Sequence, residues 1–309
     1  MTERLLALAT RHGNVLSTAM ATGIDLDRHA LEDLCRDGTL RRLRRAAYVL
    51  GSAWDAATPE GRLALRTRAV MADRPDWVVT HASALALHGL PLFGVSLDIV
   101  DVQGPVQRTR VRSGVRVHPR HPEALVVDRG GVACMALPMA LAQVLVRDGR
   151  EPGLVPIDAA LHRGSLIEDI VEAIDLLDPT PRARARAMKH LLASDPKSES
   201  PGETRTRLLL QDLGFAVQAQ ITMCEPSGRM IGRVDFLVDG RVIVEFDGLV
   251  KYEGSDGKQA LTREKAREDR LRALGYAIVR LTWADLAHPD QVADKIWRAK
   301  KLARVSRAA

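Results

Sequence analysis

Asp235, Glu245 and Asp247 stand within RVDFLVDGRVIVEFDGLVKY, in runs otherwise suited to β-strands. Side chains alternate along a strand, so Arg233 and Asp235 share one face and Val234 and Phe236 the other. By the same rule Glu245 and Asp247 share a face, opposite Val244 and Phe246. If the two runs pair about the turn Val238-Asp239-Gly240, Asp235 and Glu245 become cross-strand neighbours. Like charges so placed repel. A divalent cation removes that cost, because hard cations bind carboxylate oxygens. Two carboxylates, a backbone carbonyl and waters suit Mg²⁺ or Mn²⁺, and such an ion can polarise a phosphodiester and lower the pKa of a bound water. Lys251 follows closely enough to orient or activate that water. Glu203, near the start of the preceding helix, is a further candidate ligand. The plainer alternative is an acid cluster that only pairs with Arg233, Arg263 or Arg267.

The elements that must position these residues read in the order αβββαβα. They are a helix over Glu203–Leu213 stopped by Gly214, strands over Ala216–Met223, Met230–Leu237 and Arg241–Asp247, a helix over Leu261–Leu274, a strand over Ala277–Leu281 and a helix over Asp290–Lys301. Upstream, ASDPKSESPG (193–202) is rich in Ser, Pro and charge and marks a linker. The domain reading is therefore 1–52, 60–192, a linker at 193–202, and 203–309.

At the other end of the chain, helices over Glu3–His12, Thr18–Thr22 and Asp27–Asp37 precede TLRRLRRAAYVL, a hairpin with four arginines. This is the layout of a winged helix. Its third helix enters the major groove with Arg28, His29 and Arg36, and the wing holds phosphates through Arg41, Arg42, Arg44 and Arg45. Asp27, Glu32, Asp33 and Asp37 on the same helix work against deep groove binding. The alternative is a solvated basic hairpin on a helical interaction domain.

Between them, 60–192 alternates helices and strands and is read as an α/β middle domain. Strands are expected over Ser96–Val102 and Arg110–His118. His81, His88, His118, His121 and His162 have no carboxylate at ligand spacing on a shared element, so the sequence assigns this region no chemistry.

Two resemblances sharpen the picture. RHGNVLSTAMATGID followed by LEDLCRDGTLRRLRRAAYVL resembles the N-terminal winged-helix domain of the abortive-infection type IV antitoxins (AbiEi-like). SPGETRTRLLLQDLGF, RVDFLVDGRVIVEFDG and REDRLRALGYAIVRLTWADL together resemble the domain of unknown function 559 family, similar to very-short-patch repair endonucleases of the PD-(D/E)XK superfamily. The second resemblance implies a restriction-endonuclease-like fold with Asp235 and Glu245 as metal acids and Glu203 as the helix acid. The superfamily pattern has lysine two residues after the second acid. Asp247 stands there instead, leaving Lys251 as the nearest amine.

Composition narrows the classes. The chain has 309 residues, a hydrophobic fraction of 46% and a charged fraction of 27%, those of an ordinary globular protein of two or three domains. It has no run of about 18 apolar residues and no basic start leading into an apolar core, so neither a membrane span nor a secretory signal is expected. Cys35, Cys134 and Cys224 are scattered, which argues against disulfides or a zinc site and for the cytoplasm. A net charge of +6 permits nucleic acid, and 4% aromatics argue against single-strand stacking platforms. The expectation is an α/β (α+β) protein that acts on DNA with Mg²⁺-dependent endonuclease chemistry, in defence, toxin–antitoxin or repair, with a cognate toxin as a further partner. An antitoxin-like transcriptional regulator with an inactive nuclease fold is the alternative. An RNA-directed nuclease is the third.

Overall fold

The computed structural model describes residues 2–121, 125–248 and 257–303. Contacts divide the chain into Met1–Ser194 and Asp195–Ala309, a break that falls within the stretch read as a linker. The fold is mixed α+β in both units.

The first unit opens with α1 (Thr2–Arg11), β1 (Val15–Ser17), α2 (Thr18–Thr22), α3 (Arg28–Arg36), β2 (Leu40–Arg44) and β3 (Ala47–Leu50). The sheet order is β1-β3-β2, so the stretch 14–17, read as a break, contributes the third strand of a winged helix. Ser17 and Asp27 cap α2 and α3 by accepting N–H groups three residues on. Leu5, Leu16, Leu26, Leu31 and Leu40 fill the core. The motif joins α4 (Gly51–Ala56) and α5 (Pro59–Met71) without a gap. These two helices put Trp54, Leu65 and Ala69 against Val15, Ala47 and Val49 of the wing sheet.

The chain continues through β4 (Val78–Val79), α6 (His81–Leu87), β5 (Val100–Gly104), β6 (Arg110–Arg112), β7 (Val115–Pro119), β8 (Val126–Asp128) and β9 (Ala133–Met135). It ends in four helices: α7 (Leu137–Asp148), α8 (Arg150–His162), α9 (Ile167–Leu176) and α10 (Pro181–Leu191). The strands form a six-stranded mixed sheet in the order β6-β7-β5-β4-β9-β8. Two expectations shift here. The strand expected at Ser96 starts at Val100, because the Leu97 carbonyl accepts from the Arg66 guanidinium instead of joining a ladder. The run Arg110–His118 is a hairpin, because Ser113 and Gly114 take φ of 49° and 73° and turn the chain back.

The second unit holds α11 (Pro201–Asp212), β10 (Val217–Cys224), β11 (Met230–Val238), β12 (Val242–Phe246), α12 (Gly257–Ala273), β13 (Ala277–Leu281) and α13 (Pro289–Leu302). The sheet order is β10-β11-β12-β13, with β12 and β13 parallel. α11 and α13 cover one face through Leu210, Val292 and Ile296, and α12 covers the other through Leu271. Ser200 caps α11, so the helix begins inside the stretch read as linker. No helix among the described residues is long and apolar enough to cross a membrane.

Candidate functional site

The second unit brings Glu203, Asp235 and Glu245 to the end of β12. The β11–β12 ladder runs from Val238↔Val242 to Phe236↔Val244. One step further the pairing changes character: the Asp235 Oδ2, not a backbone carbonyl, accepts the Phe246 N–H at 2.9 Å. The opposite neighbour of Asp235 is Gln220 on β10, which sits at φ 54° in a gap of the register between Ala219↔Phe236 and Ile221↔Val234. This distortion corrects the simple alternation. Phe236 enters the apolar cluster under α11 and α13, whereas Val234 enters the one under α12. Asp235 lies at the crossover between the two faces.

Each acid has a different environment. Glu203 is 9% exposed. Its two oxygens accept from the Ser200 hydroxyl at 2.8 Å, the Glu199 N–H at 3.0 Å and the Gln220 amide at 2.8 Å. Ser200 Oγ also accepts the Glu203 N–H at 3.2 Å, so the pair closes the start of α11 in the manner of a capping box, with Glu203 reaching the N–H one residue before the cap. Glu245 Oε1 is 2.5 Å from the Arg267 guanidinium, and Oε2 is 3.7 Å from that of Arg280, its partner on β13. Asp235 forms no ion pair among the described residues. Burial first, then the charges of Glu203 and Glu245, push its carboxyl up to about 6, against the Phe246 N–H and the Arg267 charge. The three acids do not all bring an oxygen within 4.8 Å of one another. Glu203 and Glu245 both act on the Asp235 carboxyl by charge, and Glu203 also holds Gln220 opposite it.

Gly202 sets this approach. A Cβ there would lie 1.9 Å from the Phe246 ring, so only glycine lets the start of α11 close on the end of β12. Phe246 in turn meets Trp283 edge-on at 4.8 Å. Asp247 is exposed past the strand end, where its N–H donates to the Leu281 carbonyl. Lys251 lies outside the described residues. Of the arginines expected to pair with the acids, Arg267 does so, while Arg233 reaches Glu199 at 2.6 Å. The sequence reading missed Gln220, although a polar residue at the centre of an otherwise strand-like run was its signal.

In the winged helix, Arg28, Arg42 and Arg45 line a cleft of about 540 Å³ between α3 and the wing, with Glu32, Thr18 and Tyr48. Arg28 and Arg36 are exposed and bonded along their helix to Glu32 and Asp33. Arg41 is turned back onto Asp55 at 3.3 Å and over the Trp54 ring. The Arg42 guanidinium donates to the Arg44 carbonyl at 3.4 Å.

The middle segment departs from its reading. His81, Asp101 and His118, from α6, β5 and β7, converge within 4.8 Å. No shared element links them, so spacing could not reveal the group.

No family model matches the chain. It is 28% identical over 228 residues to the uncharacterized proteins MT2308 and Rv2248 of Mycobacterium tuberculosis, covering 72% of this chain and 81% of each relative. A crystal structure of the RV2827C protein from the same organism aligns with 67% of this chain and 80% of its own, at 21% identity and a TM-score of 0.38.

Proposed function

We propose that the chain is a DNA-directed protein whose second unit is a Mg²⁺-dependent endonuclease domain, similar to the PD-(D/E)XK superfamily. One observation carries this reading: Asp235 is half-buried beside two other acids, with no cation paired to it among the described residues. Such an arrangement costs stability that a bound divalent cation would recover. Asp235 Oδ2 accepts the Phe246 N–H, so Oδ1 is the atom left to a metal, with Glu245 as the second acid. These two residues would hold Mg²⁺ or Mn²⁺, which supplies a Lewis acid and an activated water for phosphodiester hydrolysis. Glu203 holds Gln220, and through it the distorted strand opposite Asp235. Asp235 must be ionised to serve, so metal affinity and cleavage rise as pH passes through about 6. The cleft of Arg28, Arg42 and Arg45 supports duplex DNA as the substrate class, through phosphate contacts.

A second reading has its own observation. Arg267 sits on Glu245 at 2.5 Å, a cation already placed where the metal would draw charge. This favours an antitoxin-like regulator in which the nuclease fold is inactive and the winged helix binds an operator.

The test is supercoiled plasmid incubated with the protein and Mg²⁺ or Mn²⁺, beside Asp235→Ala and Glu245→Ala. Nicking by the wild type alone, abolished by chelator, is the expected result. Absence of cleavage, together with tight, salt-sensitive binding to the protein's own promoter, selects the regulator.

A further inference from the structure

We propose that the cavity framed by α6, β5, β7 and α7 binds a small phosphate-bearing molecule of mononucleotide size. The cavity is about 560 Å³, within the range of roughly 300–1,000 Å³ typical of small-ligand sites. His81, Arg116, His118, Arg120, His121 and Arg147 line it, and no carboxylate does among the described lining residues.

The acids that balance these cations stand behind the wall. Asp101 is 2% exposed. Its Oδ1 accepts from His118 Nε2 at 2.7 Å, Arg147 at 2.8 Å and Arg116 at 3.2 Å. Burial alone would raise this carboxyl, but the His118 hydrogen bond and the Arg147 charge bring it down to about 2. Asp101 therefore stays an anion and fixes two guanidiniums and an imidazole at the cavity surface. Asp148 holds the other edge of Arg147, and Asp76 lies 3.7 Å from Arg120. The surface offered to a ligand consists of donors with planar forks suited to phosphate.

The spacing of His81, Asp101 and His118 also fits a metal, yet the surroundings oppose one. Asp101 Oδ1 already takes three donors, two of them permanent cations. The imidazoles of His81 and His118 stack, with centroids 4.3 Å apart and planes at 20°. A divalent ion would sit against the guanidiniums of Arg116 and Arg147, and Asp148, a further acid nearby, is already paired with Arg147.

The remaining wall reads a larger group than phosphate. Thr80 Oγ1 donates its single proton to Gln143 Oε1 at 2.5 Å, so it accepts from His81 Nδ1 at 3.1 Å. His81 thus carries its proton on Nδ1 and presents Nε2 as an acceptor. Gln143 Oε1 also accepts the His81 N–H, so its amide NH₂ is the donor left to a ligand. An acceptor beside a donor matches the edge of a nucleobase, and Val146, Leu177 and Pro179 supply the apolar wall. His81 holds this place at φ 51°, a conformation that costs a non-glycine residue about 1 kcal/mol or more and clusters at binding sites.

Isothermal calorimetry on the full chain with AMP, GMP, CMP and UMP, beside inorganic phosphate and adenosine, tests the assignment. One mononucleotide is expected to bind at 1:1, at least tenfold tighter than phosphate or nucleoside alone. Arg116→Met should weaken it tenfold or more. Arg120→Ala, at an exposed position, should weaken it several-fold with an unchanged melting temperature, and decides the matter if Arg116→Met does not fold. No binding of any mononucleotide at millimolar concentration would overturn the proposal. So would binding indifferent to both variants, phosphate binding as tightly as the nucleotides, or Zn²⁺ uptake lost in His81→Ala without nucleotide binding.

Discussion

Asp235→Asn should stabilise the protein, and only above a defined pH. The folded-state carboxyl titrates near 6 against an ordinary 3.8. Below about pH 3 both folded and unfolded chains carry the proton, and the site costs nothing. As pH rises from 4 to 6 the unfolded chain ionises first, so the wild type loses stability, and the loss is complete above about pH 7. Two pKa units correspond to about 3 kcal/mol, and because Asp235 is only half-buried, solvent screening reduces this to about 1–2 kcal/mol. Asparagine keeps an oxygen for the Phe246 N–H and removes the charge. At about 4 °C per kcal/mol for a unit of this size, the variant's melting temperature should rise by roughly 4–8 °C at pH 8 and be unchanged near about pH 3. Calorimetry of the full chain in chelator reads this directly. Adding Mg²⁺ at pH 8 should stabilise the wild type and leave the variant unmoved. A variant less stable at pH 8, or equally stabilised at both pH values, would refute the electrostatic reasoning.

Four other outcomes are expected. Gly202→Ala drives a Cβ into the Phe246 ring and should cost about 1–3 kcal/mol in urea unfolding, with loss of any metal response. Arg267→Met removes the cation on Glu245, so a pH titration of stability should show the Asp235 step moving higher, and Mg²⁺ should then stabilise the variant more than the wild type. Asp101→Asn leaves Arg147 and Arg116 facing a neutral amide and should cost about 3 kcal/mol or more at pH 7. The Asp101 carboxyl is held low, so the wild type keeps this contribution above pH 4 and loses it as pH falls toward 2, where the two proteins converge in acid unfolding. Arg42→Ala with Arg45→Ala should weaken duplex DNA binding and lower the log–log salt slope by about 2 if both touch phosphate, which titrations at several salt concentrations measure.

The element order of the second unit was legible in the sequence, because its elements carry their own periodicity and punctuation. Gly214 ends a helix, and Asp239-Gly240 turns β11 into β12 with φ of 49° and 66°. The acids at 235 and 245 stood out for the same reason: a strand's alternation makes a misplaced carboxylate visible. That Glu245 has Arg267 on it, whereas Asp235 has no cation among the described residues, was decided by how α12 packs on the sheet. Nothing within either strand encodes that choice. Val234 and Phe236 change faces beside the gap in the β10–β11 register at Gln220, and alternation counts residues without knowing where a ladder is interrupted. Asp101 is the clearest case. In sequence it is an acid in an apolar strand, far from His81 and Arg147. The parallel pairing of β5 with β7 brings His118 beside it and the packing of α7 brings Arg147. Local sequence fixes which way a side chain points along its own element. Which residue it meets there depends on elements tens of residues away, and only the folded chain settles that.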